Sequence, residues 1–127
     1  MKTVIVVIST YNGAKYIERQ LNSIFNQVNV DVRVLVRDDC SKDDTVEVIQ
    51  KYAQKHPKNK IEIVNGKNVG FAKSFWLGLS RCGEADYYAF ADQDDVWKPN
   101  KLICCINAMQ EENQIPQLAY CKMQRSD

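Results

Sequence analysis

Three carboxylates stand within four residues at Asp92-Gln93-Asp94-Asp95. Left alone they repel one another. A hard divalent cation relieves that repulsion, and carboxylate oxygens suit Mg²⁺ or Mn²⁺. Mg²⁺ takes only one or two protein carboxylates and completes its shell with water and phosphate oxygens. The spacing therefore points to a site for a metal and a diphosphate. The alternative is a solvated acidic turn favoured by the N-terminal dipole of the next helix. A second acidic pair, Asp38-Asp39, can accept a hydrogen bond from a base N–H or a ribose hydroxyl, or can cap a helix. Tyr11 could stack on a nucleobase or simply pack. Lys73 could neutralise phosphate charge or be solvated. Asn68 and Gly70 sit in a turn-rich loop, where glycine supplies positive φ at little cost.

These residues are far apart in sequence, so the elements between them must gather them. Thr3 to Ile8 is a continuous β-branched run and reads as a strand buried on both faces. Ile17, Leu21, Ile24, Phe25 and Val28 follow at helical spacing. Val30 to Val36 is a second strand, and Ser41 with Asp44 fits a capping box for a helix bearing Val46, Ile49, Tyr52 and Ala53. Ile61 to Val64 is a third strand. Ala72, Phe75, Trp76 and Leu79 define the next helix face. Asp86 to Ala91 is a fourth strand. Pro99 suits the first turn of a helix with Leu102, Ile103, Ile106 and Met109 inward, and Leu118 to Met123 is a candidate fifth strand. Strands joined through helices predict an α/β fold, a three-layer α/β/α arrangement on a mainly parallel, Rossmann-like sheet. In such a sheet the C-terminal ends of the strands share one edge. Thr10-Tyr11-Asn12, Asp38-Asp39, the loop from Asn65 to Asn68, and Asp92 to Asp95 should then meet on one rim, where open α/β sheets bind ligands.

Composition narrows the classes. The chain has 127 residues and 14.6 kDa, enough for one domain. Hydrophobic residues are 45% and charged residues 26%, which argues against disorder. The net charge of +1 lacks the basic excess of a non-specific nucleic-acid binder. No apolar run is long enough for a membrane span, and Val4 to Ile8 lacks the flanks of a signal peptide. Cys40, Cys82, Cys104, Cys105 and Cys121 contain no C-x-x-C pair, so they read as reduced packing residues of a cytosolic protein. A single histidine, His56, argues against a zinc site or a Ser-His-Asp triad. Neither a P-loop nor a G-x-G-x-x-G fingerprint is present.

Ser9-Thr10-Tyr11-Asn12, Arg37-Asp38-Asp39-Cys40-Ser41-x-Asp43, Asn68-Val69-Gly70-Phe71-Ala72 and Asp92-Gln93-Asp94-Asp95-Val96-Trp97 occur in this order. Together they resemble the family-two inverting glycosyltransferases of the GT-A fold. The Asp-Gln-Asp-Asp-x-Trp form is similar to the bacterial branch, which includes rhamnosyltransferase-like enzymes of surface polysaccharide synthesis. The resemblance covers essentially the whole chain. It implies that Thr10, Tyr11 and Asn12 hold the nucleoside, with Tyr11 against the base. It puts Asp39 on the base, Asn68 and Gly70 beside the nucleotide, and Asp92 on ribose or sugar. Asp94 would bind the metal, with Asp92 a second candidate ligand, while Asp38 and Asp95 support from behind. Three departures stand out. Cys40 replaces the usual glycine of the Asp-Asp-Gly-Ser turn and is expected to alter its backbone. Phe75 and Trp76 fall where many members carry Arg and Asn. The family's acidic base lies well downstream of Asp-x-Asp, beyond Asp127.

The resemblance thus implies sugar transfer from a UDP- or dTDP-sugar, with Mg²⁺ or Mn²⁺, to a saccharide or lipid-linked acceptor. Residues 1–127 would be a single donor-binding domain cut before the acceptor half. It would bind nucleotide and have little or no transferase activity, with the last strand as an edge open to self-association. The expected location is cytoplasmic, peripheral at the inner membrane face in the full protein. Two other classes compete: a phospho-acceptor receiver domain, and a non-catalytic nucleotide-binding module. A receiver carries its acidic pair after the first strand, where this chain has Ser-Thr-Tyr-Asn.

Overall fold

A computed structural model describes residues 1–92, 95–112 and 118–119. Gln93, Asp94, Cys121 and the end of the expected fifth strand lie outside the described residues. The elements alternate as β1 (Lys2–Thr10), α1 (Ile17–Phe25), β2 (Val30–Asp38), α2 (Thr45–Lys55), β3 (Lys60–Asn65), α3 (Phe71–Ser80), β4 (Tyr87–Ala91), α4 (Lys101–Glu112) and β5 (Leu118–Ala119). All pairings are parallel, in the order β3-β2-β1-β4-β5. β1 is central because its side chains are apolar on both faces. Val4, Val6 and Ile8 join Ile17, Leu21, Ile24, Ile49, Tyr52, Leu102 and Ile106 in one core. Ile5 and Val7 join Leu35 and Phe75 in the other. The first core lies under α1, α2 and α4, and the second under α3. The chain builds outward from β1 to β3 and then returns across β1 to β4. A right-handed crossover in the reversed direction puts α3 on the opposite face. The three layers and parallel sheet agree with expectation, and the reversal of strand order beside β1 marks the rim where a ligand crevice opens.

Several local expectations are corrected. β1 and β2 each continue two residues further, so Ser9 and Thr10 are ladder residues paired with Arg37 and Asp38. Their polar side chains find buried partners there and need no solvent. α1 ends at Phe25, and Val28 is exposed; its N–H donates to Pro99 O at 2.9 Å. The Ser41/Asp44 capping box does not form. Asp44 is the N-cap of α2 without a side-chain bond, and Asp43 accepts from both the N–H and the hydroxyl of Thr45. The buried face of α3 is Ser74, Phe75 and Gly78, whereas Ala72 and Trp76 are exposed. Gly78 sits so close to the sheet that an added Cβ would meet Val7 at 3.0 Å. Pro99 precedes α4 by two residues instead of opening it.

The cysteines also differ from expectation. Cys40 and Cys104 are free and exposed, so neither is a packing residue. Cys105 is disulfide-bonded, which corrects the reading of five reduced thiols. Cys82 does behave as a packing thiol. Burial, and then the nearby Glu62, push its pKa up to about 11, so it stays protonated.

Candidate functional site

The turn after β2 is built by its own carboxylates. Asp38 Oδ1 accepts from the Thr10 hydroxyl at 2.7 Å and the Ser41 hydroxyl at 2.6 Å. Its Oδ2 accepts from the Ser41 N–H at 2.8 Å. Thr10 is fully buried, and its carbonyl accepts the Asp39 N–H at 2.8 Å. Asp38 and Thr10 thus fix the turn, and neither is among the residues lining the cleft beside Tyr11 and Asn68. Between them and Ser41, Cys40 adopts φ +65°, the left-handed conformation that glycine supplies freely. Cys40 thus holds a backbone conformation that favours glycine, at the cost of side-chain strain. A non-glycine residue there costs ~1–2 kcal/mol, partly offset by the extra freedom that glycine has when unfolded. Cys40→Gly is therefore expected to stabilise the domain by ~0.5–1 kcal/mol. Thermal denaturation reads this directly, and a lowered Tm would mean the turn is not strained.

Asp39 is the convergence point. Only 3% exposed, its carboxylate takes the Arg37 guanidinium at 2.8 Å and the Val69 N–H at 2.9 Å on Oδ1, and the Gly70 N–H at 3.1 Å on Oδ2. Its carbonyl accepts from the Asn68 amide at 3.2 Å. Burial pushes its pKa up, but the Val69 N–H, the Arg37 guanidinium and the Gly70 N–H together outweigh that and hold it below the ordinary carboxylate value. A carboxylate has about four lone-pair sites, and three are used here. The unused acceptor direction is on Oδ2. Gly70 has φ +93° and ψ 162° as the N-cap of α3, in a region essentially restricted to glycine. No atom lies within 4 Å of an added Cβ, so its requirement is conformational, not steric.

The loop after β1 leans on the same turn. The Asn12 N–H donates to Ser41 Oγ at 2.9 Å, the Gly13 N–H to Thr45 Oγ1 at 2.8 Å and the Ala14 N–H to Asp43 Oδ2 at 3.2 Å. Asn12 Oδ1 in turn accepts the Lys42 N–H at 2.8 Å. Asn12 therefore locks two loops together. Tyr11 is left 41% exposed beside them. With Ser9, Asp39, Asn68, Gly70 and Phe71 it lines a cleft of about 410 Å³. A larger cavity of about 570 Å³, lined by Arg33, Lys60, Glu62 and Cys82 among others, lies towards the N-terminal ends of β3 and β4. It is away from the rim, so the smaller cleft is the candidate site. Lys73 is exposed on α3 and is not among the residues lining either cavity.

Asp92 follows β4 directly, and Ala91 pairs with Ile8, so Asp92 stands on the same rim. Its carbonyl accepts from the Gln20 amide and from the Asp95 N–H at 3.2 Å. The next turns are held by α1 and the residues just after it. Ser23 Oγ accepts the Trp97 N–H at 3.1 Å. Gln27 donates to Lys98 O at 2.6 Å and accepts the Leu102 N–H at 2.9 Å. Gln20 and Ser23 on α1, and Gln27 two residues past its end, are all buried and recur at spacings of three and four, which sets a polar inner stripe beside the apolar face of α1. Lys101 Nζ lies 4.7 Å from the centre of the Trp97 ring. Among the described residues no cluster of three or more His, Cys, Asp or Glu could hold a metal by itself.

The family model for glycosyl transferase family 2 matches residues 5–125. The chain belongs to that family. Within it, the chain is 34% identical over 105 residues to the dTDP-rhamnosyl transferase RfbG of Shigella flexneri, covering 80% of this chain and 36% of RfbG. It superposes on S. aureus TarS 1–349 in complex with UDP at TM-score 0.73 and 30% identity, covering 87% of this chain and 32% of that one. It superposes on a mannosyltransferase of Pyrobaculum calidifontis in complex with GDP-Man and Mn²⁺ at TM-score 0.72 and 26% identity, covering 79% and 30%. The chain thus spans about a third of the length of these relatives. Membership in glycosyl transferase family 2 removes the receiver alternative, and the fold is the GT-A one expected.

Against the family's motifs, the rim gathers Tyr11, Asp39, Asn68 and Gly70 at one cleft and sets Asp92 and Asp95 on the same sheet edge. Thr10, Asn12 and Asp38 bond the adjoining turns and are not among the residues lining the cleft. Sequence reading missed Phe71, which is 57% exposed at the cleft. It also missed Ser9, Arg37 and Ser74, a buried polar chain, and the Gln20, Ser23 and Gln27 stripe. For the stripe a signal existed: three amide or hydroxyl residues at helical spacing.

Proposed function

We propose that the cleft binds the nucleoside diphosphate of a sugar donor, and that the whole protein transfers the sugar with inversion to a saccharide or lipid-linked acceptor hydroxyl. The observation that carries this is Asp39: a buried carboxylate held below its ordinary pKa in a cleft that Tyr11 and Phe71 also line. An anionic acceptor in a cleft with two aromatic side chains suits a base that presents an N–H, such as uracil or thymine. Tyr11 and Phe71 would flank the base, Asn68 and Gly70 would border the nucleotide, and Asp92 would take the ribose or sugar. The donor names of the relatives, UDP with TarS and dTDP-rhamnosyl for RfbG, support this reading. RfbG and a putative teichuronic acid glycosyltransferase of Bacillus subtilis support a role in surface polysaccharide synthesis.

Asp94, with Asp92 as the second candidate, would hold Mg²⁺ or Mn²⁺. The oxygen-only donor set fits a hard cation that shares its shell with phosphates, and Mn²⁺ accompanies the donor in the mannosyltransferase complex. Such an ion, when bound, stabilises the charge on the leaving diphosphate. The chain's own residues bind and orient: Asp39 sets the base, and α1 holds Asp92 in register through Gln20. General-base removal of the acceptor proton needs a carboxylate, and no residue of this chain is assigned that role. The 127 residues alone are expected to bind donor with little or no turnover. No helix among the described residues is long and apolar enough to cross a membrane.

Isothermal titration with UDP and dTDP, in Mn²⁺ and in EDTA, tests the reading. Binding is expected in Mn²⁺ and at least about tenfold weaker in EDTA, a difference of ~1.4 kcal/mol. Absence of heat with both nucleotides in Mn²⁺ would sink it.

A further inference from the structure

We propose that Arg37 is a positioning residue that sets the base selectivity of the cleft by holding the Asp39 carboxylate as an acceptor for an imide N–H. The inference rests on the nucleotide reading above and goes beyond it, because Arg37 is not among the residues that line the cleft.

Arg37 is 5% exposed, a rare place for a cation unless it is paired. Its Nη1 donates to Asp39 Oδ1 and to Ser74 Oγ, both at 2.8 Å, and its Nη2 donates to Lys67 O at 3.1 Å. Ser9 of β1 donates to the same Ser74 oxygen at 2.7 Å. One planar guanidinium on β2 thus joins the turn after β2, the β3–α3 loop and α3, and reaches β1 through Ser74, a fork that lysine cannot match. Gly66 leaves room for it: an added Cβ would fall 2.1 Å from Nη2. The other groups on Asp39 are neutral backbone donors, the N–H groups of Val69 and Gly70. Neighbouring Asp38 turns its carboxylate to Thr10 and Ser41. From α3, Ser74 brings a hydroxyl and reaches Asp39 only through Arg37. Arg37 is therefore the charged side chain in contact with Asp39, and arginine stays protonated at every working pH.

The consequence is chemical selectivity. An ionised Asp39 only accepts, which suits the imide N–H of uracil and thymine and opposes the acceptor N3 of cytosine. A protonated Asp39 could donate and would admit cytosine. A hydrogen bond to a charged group is worth enough for at least about tenfold discrimination.

The experiment is the ratio of UDP to CDP affinity in Mn²⁺ at pH 7.5 and pH 5.5, by titration calorimetry. The native chain is expected to favour UDP by at least about tenfold at both values. In Arg37→Met the preference should shrink several-fold, more at pH 5.5 than at pH 7.5, and Arg37→Lys should restore part of it at pH 5.5. An Arg37→Met ratio equal to the native one at both values overturns the proposal. A native chain that binds neither nucleotide instead sinks the nucleotide reading itself. Should Arg37→Met fail to fold, ¹³C titration of the Asp39 carboxyl in the native chain decides. A midpoint below the ordinary carboxylate value supports the proposal, and one above it refutes it.

Discussion

Asp39→Asn is expected to cost the domain about 3–5 kcal/mol and to abolish nucleotide binding. The change is nearly isosteric, so packing is not the reason. It leaves the Arg37 cation buried without a counter-charge, and removing one partner of a buried ion pair is costly. It also replaces one carboxylate oxygen, which accepts from the Val69 or Gly70 N–H, with an amide donor. Against a typical total of ~5–15 kcal/mol, such a loss would leave the variant marginal. Denaturant titration measures it, and a variant within ~1 kcal/mol of the native chain would show that Arg37 is held by other means. The same carboxylate sets an acid limit. Its folded pKa is depressed, so its contribution is present above the unfolded value of ~3.9. It is lost as pH falls through the lower folded value. Native stability should therefore drop below about pH 4, and the Asn variant should lack that part of the drop.

The sheet was legible because it rests on side chains that act by type alone. Thr3 to Ile8 is apolar without alternation, and only a strand covered on both faces needs that. The alternation of strands and helices then forced a shared rim, so Tyr11, Asp39 and Asn68 were placed correctly without any knowledge of their contacts. What could not be read was which polar residues are buried. Arg37 looks like the start of a loop because charge usually marks solvent. Its burial depends on Ser74, 37 residues away, and on the loop at Lys67, 30 residues away. Ser41 looked like a helix cap because its local spacing fits, but Asp38 and Asn12 compete for its hydroxyl and win. Local patterns identify a residue's options, and long-range partners select among them. The family resemblance picked out Tyr11, Asp39, Asn68 and Gly70, which line one cleft, and gave no role to Arg37 or Ser74 behind them.

The polar stripe that starts on α1 and ends at Gln27 gives the second large effect. Gln27→Met keeps the length and apolar bulk of the side chain and removes its hydrogen bonds. The Leu102 N–H at the start of α4 and the Lys98 carbonyl lose their side-chain partner, and each buried, unsatisfied group costs ~1–3 kcal/mol. The expected loss is about 2–4 kcal/mol by denaturant titration. Amide exchange should also quicken at Leu102, because the first-turn N–H of a helix has no partner within that helix. Arg19→Gln, an exposed change on α1, should stay within ~0.5 kcal/mol and serves as the surface control. A Gln27→Met variant as stable as the control would mean that α4 is seated by Leu102 and Ile106 alone. If the loss is found, the end of α1 and the residues just after it also anchor the segment from Lys98 to Leu102. The two halves of the proposed nucleotide site would then share one rigid element, and loosening it should weaken Mn²⁺-dependent UDP binding more than metal-free binding.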